Sequence, residues 1–122
     1  GSFIVVIATN APLTHRQLRQ LCLRATHGLA RTGTTSTMSS GEFVIAFSTA
    51  NKIPRRSNDS VLSVRMLQNR KLDPLYQAVI ESTEEAIYNS MTMATTTYGK
   101  QERIIHAIPI DKLQKIMKKY GH

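Results

Sequence analysis

Three polar side chains stand at the heads of the two most apolar stretches of the chain. Ser2 precedes Phe3-Ile4-Val5-Val6-Ile7-Ala8, and Ser40 and Glu42 open the run Phe43-Val44-Ile45-Ala46-Phe47. A hydroxyl acts as a nucleophile when a base and an orienting group adjoin it. Residues two apart on a strand share a face, so Ser40 and Glu42 can address a common point. By spacing alone the pattern is weak, because many strands begin Ser-Gly-Glu and carry no chemistry. The Gly1-Ser2 pair is open to two readings. A core strand has little structural reason to start with no polar lead-in, which points to a cut at or next to Ser2; Gly-Ser is also the common remnant of a cleaved expression tag.

The elements that position these groups follow from periodicity. Phe3–Ala8 is a continuous, largely β-branched run, expected to be a strand buried on both faces at the centre of a layered domain. Asn10-Ala11-Pro12 turns the chain, and Thr14 caps a helix from His15 to about Arg31. Its apolar stripe is Leu18, Leu21, Cys22, Ala25 and Leu29, with the arginines on the outer face, and Gly33 ends it. A polar tract, 34–42, leads into the second strand, 43–49. Strand, helix and strand make an α/β layered unit, with the strand direction undecided. Residues 50–59 form a polar, proline-bearing loop, the place for mobility or contact with another subunit, and Val61–Leu67 is expected to be a third strand. Asp73-Pro74 starts a second helix running to about Thr97. After an extended segment at Ile104–Pro109, Asp111 and Gln114 have capping-box spacing at the start of a final helix to about Tyr120.

The chain has 122 residues and 41% hydrophobic content, one domain or the larger part of one. No apolar stretch approaches the roughly 20 residues that span a bilayer, and no signal-peptide pattern is present, so no membrane partner is expected. The single Cys22 suits a reducing, cytoplasmic setting and reads as a small core residue. The net charge of +8 raises nucleic acid or an acidic partner. The basic residues are spread along the chain and aromatics are only 6%, so no nucleic-acid partner is expected, and an acidic complement on another piece of a larger protein is the more economical account. His15 and His27 have no ligand at metal spacing, so neither metal nor cofactor is expected. Glu81, Glu84 and Glu85 read as a solvated or subunit-facing surface.

Five stretches, GSFIVVIATNAPLTHRQLRQL, GLARTG, SSGEFVIAFSTAN, LDPLYQAVIESTEEAIYNSM and IHAIPIDKLQKIM, carry a resemblance over nearly the whole chain. The chain resembles the C-terminal, β-chain portion of the self-processing L-aminopeptidase/D-amino-acid esterase and β-peptidyl aminopeptidase family. The resemblance implies autocleavage between Gly1 and Ser2, with Ser2 then the N-terminal nucleophile and Ser40 and Glu42 the catalytic serine and glutamate. It implies a four-layer αββα sandwich completed by a larger N-terminal α chain, a tetramer of αβ units, and hydrolysis of small peptides, amides or esters through an acyl-enzyme. Residues 1–122 would then be a single domain portion, and a molecule retaining Gly1 would be inactive because its Ser2 nitrogen is an amide. Two alternatives stand beside this expectation. One is an acyltransferase on the same fold, and the other is a non-catalytic basic binding subunit, which salt-sensitive retention on heparin would reveal.

Overall fold

The computed structural model describes residues 2–121, which divide into two compact units between Glu84 and Glu85. In the first, β1 (Phe3–Thr9) and β2 (Glu42–Ser48) lie side by side and α1 (His15–Arg31) connects them. The strands are parallel, with Phe3 beside Glu42 and Thr9 beside Ser48. Parallel neighbours need a long crossover, which α1 supplies.

One face of this two-stranded sheet is packed and the other is bare. Val5, Ile7 and Val44 lie against a core of Leu13, Leu21, Ala25, Leu72 and Val79. On the opposite face Ile4 is 75% exposed, Phe43 68% and Ile45 58%. The first unit by itself therefore buries β1 on one face and not on the two expected. Unbroken apolar sequence requires apolar surroundings on both sides, but the first unit supplies a helical layer on only one.

α1 begins with a reciprocal cap: the Gln17 N–H donates to Thr14 Oγ1 at 3.4 Å, and Gln17 Oε1 accepts the Thr14 N–H at 3.0 Å. Gln17 is itself buried, and its Nε2 donates to the Leu67 carbonyl (2.7 Å) and to Asn69 Oδ1 (2.9 Å). One side chain thus starts the helix and pins a segment fifty residues away. Beyond the helix, Gly33 turns with φ +90°, a conformation that glycine adopts without penalty. In the last turn of α1, Gly28 lets the next helix approach closely. A Cβ there would lie 2.5 Å from the Ile80 carbonyl oxygen and 2.8 Å from Thr83 Cβ.

The third strand expected at Val61–Leu67 does not form. The segment is held by the Asn51 side chain, which accepts the Arg65 N–H and donates to the Arg65 carbonyl, both at 2.9 Å, and by the Leu67 N–H to the Pro12 carbonyl at 2.7 Å. Its alternation is only partial, and Val61, Leu62 and Val64 stay exposed with no sheet neighbour. α2 spans Asp73–Thr92 and stops short of the expected end near Thr97. The Thr92 hydroxyl bonds back to the Tyr88 carbonyl at 2.9 Å, and three successive β-branched threonines follow at 95–97, a poor continuation for a helix.

The second unit holds the last residues of α2, an antiparallel ribbon of β3 (Thr97–Tyr98) and β4 (Ile104–Ile105), and α3 (Ile110–Lys119). Gln101 and Glu102 carry the ribbon's turn with φ +60° and +58°. The capping box expected at Asp111 is corrected: Pro109 occupies the cap position without a side-chain bond, and Asp111 lies inside the first turn, where its charge suits the positive end of the helix. Among the described residues no helix is long and apolar enough to cross a membrane.

Candidate active site

The parallel register brings the heads of β1 and β2 together. Because Phe3 stands beside Glu42, the residue before β1 reaches the residues that open β2. The Gly41 N–H donates to Ser2 Oγ at 3.1 Å, and the Gly41 carbonyl accepts the Phe3 N–H at 3.1 Å. Both polar groups of Gly41 are thus turned towards β1. Ser40 Oγ donates to Glu42 Oε1 at 2.7 Å, a hydroxyl–carboxylate contact in the short range of charge-assisted hydrogen bonds.

Ser40 and Glu42 meet directly, as the two-residue spacing leads one to expect. Ser2 Oγ meets the peptide between them, accepting the Gly41 N–H. Ser2 is exposed, whereas Ser40, Gly41 and Glu42 are half-buried. The connection leading into β2 is braced as well: the Ser40 N–H donates to the Thr37 carbonyl at 2.8 Å, and the Thr37 and Ser39 hydroxyls lie 3.4 Å apart. Gly1, the other residue of the expected cleavage site, lies outside the described residues.

Gly41 is the contributor that reading side chains missed. Its part is played by the backbone, and the only signal was its place between Ser40 and Glu42. Seeing it required the register.

Cys22 lies on α1 and Glu84 on α2. Cys22 is half-buried rather than a core residue, and burial, its largest influence, pushes the thiol up from its ordinary value against the lowering effect of a backbone hydrogen bond. A thiol shifted in that direction is a poor nucleophile at neutral pH. Glu84 pairs with Arg31 at 3.1 Å between α2 and α1, a half-exposed contact worth at most about 1 kcal/mol. Arg24 stacks over the Tyr76 ring at 4.5 Å, and the Tyr76 hydroxyl donates to Gln20, so part of the basic face of α1 is tied to its own fold.

The sequence model of peptidase family S58 matches residues 1–105. The β-peptidyl aminopeptidase BapA of Sphingosinicella microcystinivorans is 40% identical over 120 residues, 98% of this chain and 30% of the relative. Among solved structures, the PH0078 protein of Pyrococcus horikoshii OT3 is similar with a TM-score of 0.92 and 43% identity, covering 100% of this chain and 34% of that one. The L-aminopeptidase D-Ala-esterase/amidase of Ochrobactrum anthropi, described as a new variant among the Ntn-hydrolase fold, is similar with a TM-score of 0.87 and 36% identity, covering 96% and 33%. The chain therefore spans about a third of the length of the relatives that it matches.

Proposed function

Because this chain belongs to peptidase family S58, we propose that it is the smaller, C-terminal chain of a self-cleaved hydrolase whose nucleophile is Ser2. The observation that carries this reading is the contact of Ser2 Oγ with the peptide joining Ser40 to Glu42. It sets an exposed hydroxyl beside a half-buried hydroxyl–carboxylate pair, all at the ends of strands that cannot wander.

In maturation, Ser2 Oγ attacks the Gly1 carbonyl carbon; the C–N bond breaks, the proton passes to nitrogen, and an ester forms. Water then hydrolyses the ester, leaving a Gly1 carboxylate and a free Ser2 amine. An α-amine ordinarily titrates at about 7.7–8.0 and so serves as a base near neutral pH without tuning. In turnover the Ser2 amine takes the hydroxyl proton as Oγ attacks a substrate amide or ester, and returns it to the leaving group. The acyl-enzyme is resolved by water. Ser40 and Glu42 orient Ser2 and relay its proton, as the third member of a triad orients a general base.

The substrates are small peptides, amides or esters with a free amino end, the classes in which the similar enzymes are named. A larger chain of the same precursor covers the bare face bearing Ile4, Phe43 and Ile45, completing a four-layer αββα sandwich, and αβ units assemble as a tetramer. Two-thirds of each relative lies outside the match, as a larger partner chain requires.

Acyl trapping tests the role of Ser2. The processed product of the full-length gene is mixed with a slowly deacylated amino-acid ester, quenched in acid and mapped by peptide mass. The acyl mass is expected on the peptide beginning at Ser2; turnover with the acyl group on another residue would overturn the assignment.

A further inference from the structure

We infer that the Gly41 N–H is a hydrogen-bond donor to the nucleophile itself, stabilising the charge that develops on Ser2 Oγ each time that oxygen gains or loses an acyl group. This rests on Ser2 being the nucleophile. The N–H lies 3.1 Å from Ser2 Oγ, and the peptide that carries it is fixed from the other side by the Phe3 N–H on the Gly41 carbonyl at 3.1 Å. A donor aimed in advance at an atom that becomes negative costs no reorganisation during reaction.

The effect is symmetric in the two half-reactions. A serine oxygen has two acceptor sites and one proton. The Gly41 N–H occupies one acceptor site, the other lone pair attacks, and the proton leaves to the base. As the O–H bond breaks ahead of full C–O bond formation, negative charge on Oγ is met by the N–H. When water attacks the acyl-enzyme, the C–Oγ bond breaks, the electron pair returns to Oγ, and the same N–H meets it again. In maturation the donor serves twice for the same reason, in the shift from nitrogen to oxygen and in hydrolysis of the resulting ester.

A side chain at position 41 is sterically allowed: a Cβ there would meet Phe43 Cε2 at 3.6 Å, an ordinary contact. The N–H can therefore be tested separately from the absence of a side chain. Full-length precursor is translated with glycolic acid at position 41, which exchanges the N–H for an ester oxygen and keeps the backbone shape, and beside it Gly41→Ala, which keeps the N–H. The glycolic variant is expected to lose about 10²-fold in self-cleavage rate and in kcat, with KM little changed because the group touches the nucleophile and not the substrate. Gly41→Ala is expected to keep most of the wild-type rates. Wild-type rates from the glycolic variant would overturn the inference, as would a loss in Gly41→Ala equal to that of the ester. Ser2→Ala run in parallel separates the two levels: cleavage and turnover surviving in Ser2→Ala sinks the nucleophile assignment, whereas full activity in the glycolic variant alone sinks only the role of Gly41.

Discussion

The two ends of the β1–β2 pair are built from similar residues and bond to different partners. At the far end, Ser48 Oγ donates to the Ala11 carbonyl at 2.5 Å and accepts the Ala50 N–H at 3.1 Å, Thr9 Oγ1 accepts the Ala11 N–H at 3.1 Å, and the Thr9 carbonyl accepts the Thr49 N–H at 2.9 Å. Hydroxyls there close turns, and each partner is backbone within a few residues of a strand end. At the near end a hydroxyl meets a carboxylate, and a second, exposed hydroxyl is held by the peptide between them. Residue type does not separate a serine that closes a turn from the one proposed as a nucleophile; partner chemistry and exposure do.

Substitutions sharpen this contrast in graded steps. Ser2→Ala is expected to leave the precursor uncut and to lower kcat by about 10⁶-fold, as loss of a serine nucleophile does elsewhere; gel analysis and steady-state kinetics measure both. Glu42→Gln keeps the shape of the side chain and removes its charge, and is expected to cost about 10²- to 10⁴-fold in kcat, the range of lost acid–base assistance. Ser40→Ala removes the donor to Glu42 while the carboxylate stays, so its loss in the same assay is smaller, about 10²-fold. Ser48→Ala, at the far end, is expected to lower stability by about 1–2 kcal/mol through the lost bonds to Ala11 and Ala50, read by denaturant titration, with self-cleavage unaffected. A Ser48→Ala variant as impaired in cleavage as Ser40→Ala would erase the distinction between the two ends.

Much of the near end was legible in the sequence. The apolar run at Phe3–Ala8, the helical spacing from Leu18 to Leu29 and the Ser40-Gly41-Glu42 opening of the second strand are local patterns, and local patterns survive folding. The parallel register was not legible, because nothing in either strand states which residue stands beside which. The position of Gly41 against Ser2 depends on that pairing. The bare face of the sheet was invisible for a related reason: Ile4 and Phe43 are apolar whatever covers them, and their exposure shows only where this unit's own layers end. At Val61–Leu67 the Asn51 side chain takes the Arg65 backbone groups that a sheet neighbour would need, and α2 ends at Thr92 shortly before three β-branched threonines at 95–97.

In the proposed function, Ser2 becomes an N-terminal nucleophile through cleavage of the Gly1–Ser2 bond. Intact mass and N-terminal sequencing of the protein produced from its full-length gene test it most directly. Two chains are expected, the smaller beginning at Ser2 and the larger ending at Gly1, with activity appearing alongside them. A single uncut chain that is fully active, or a cut elsewhere with Ser2 still in peptide linkage, would contradict it.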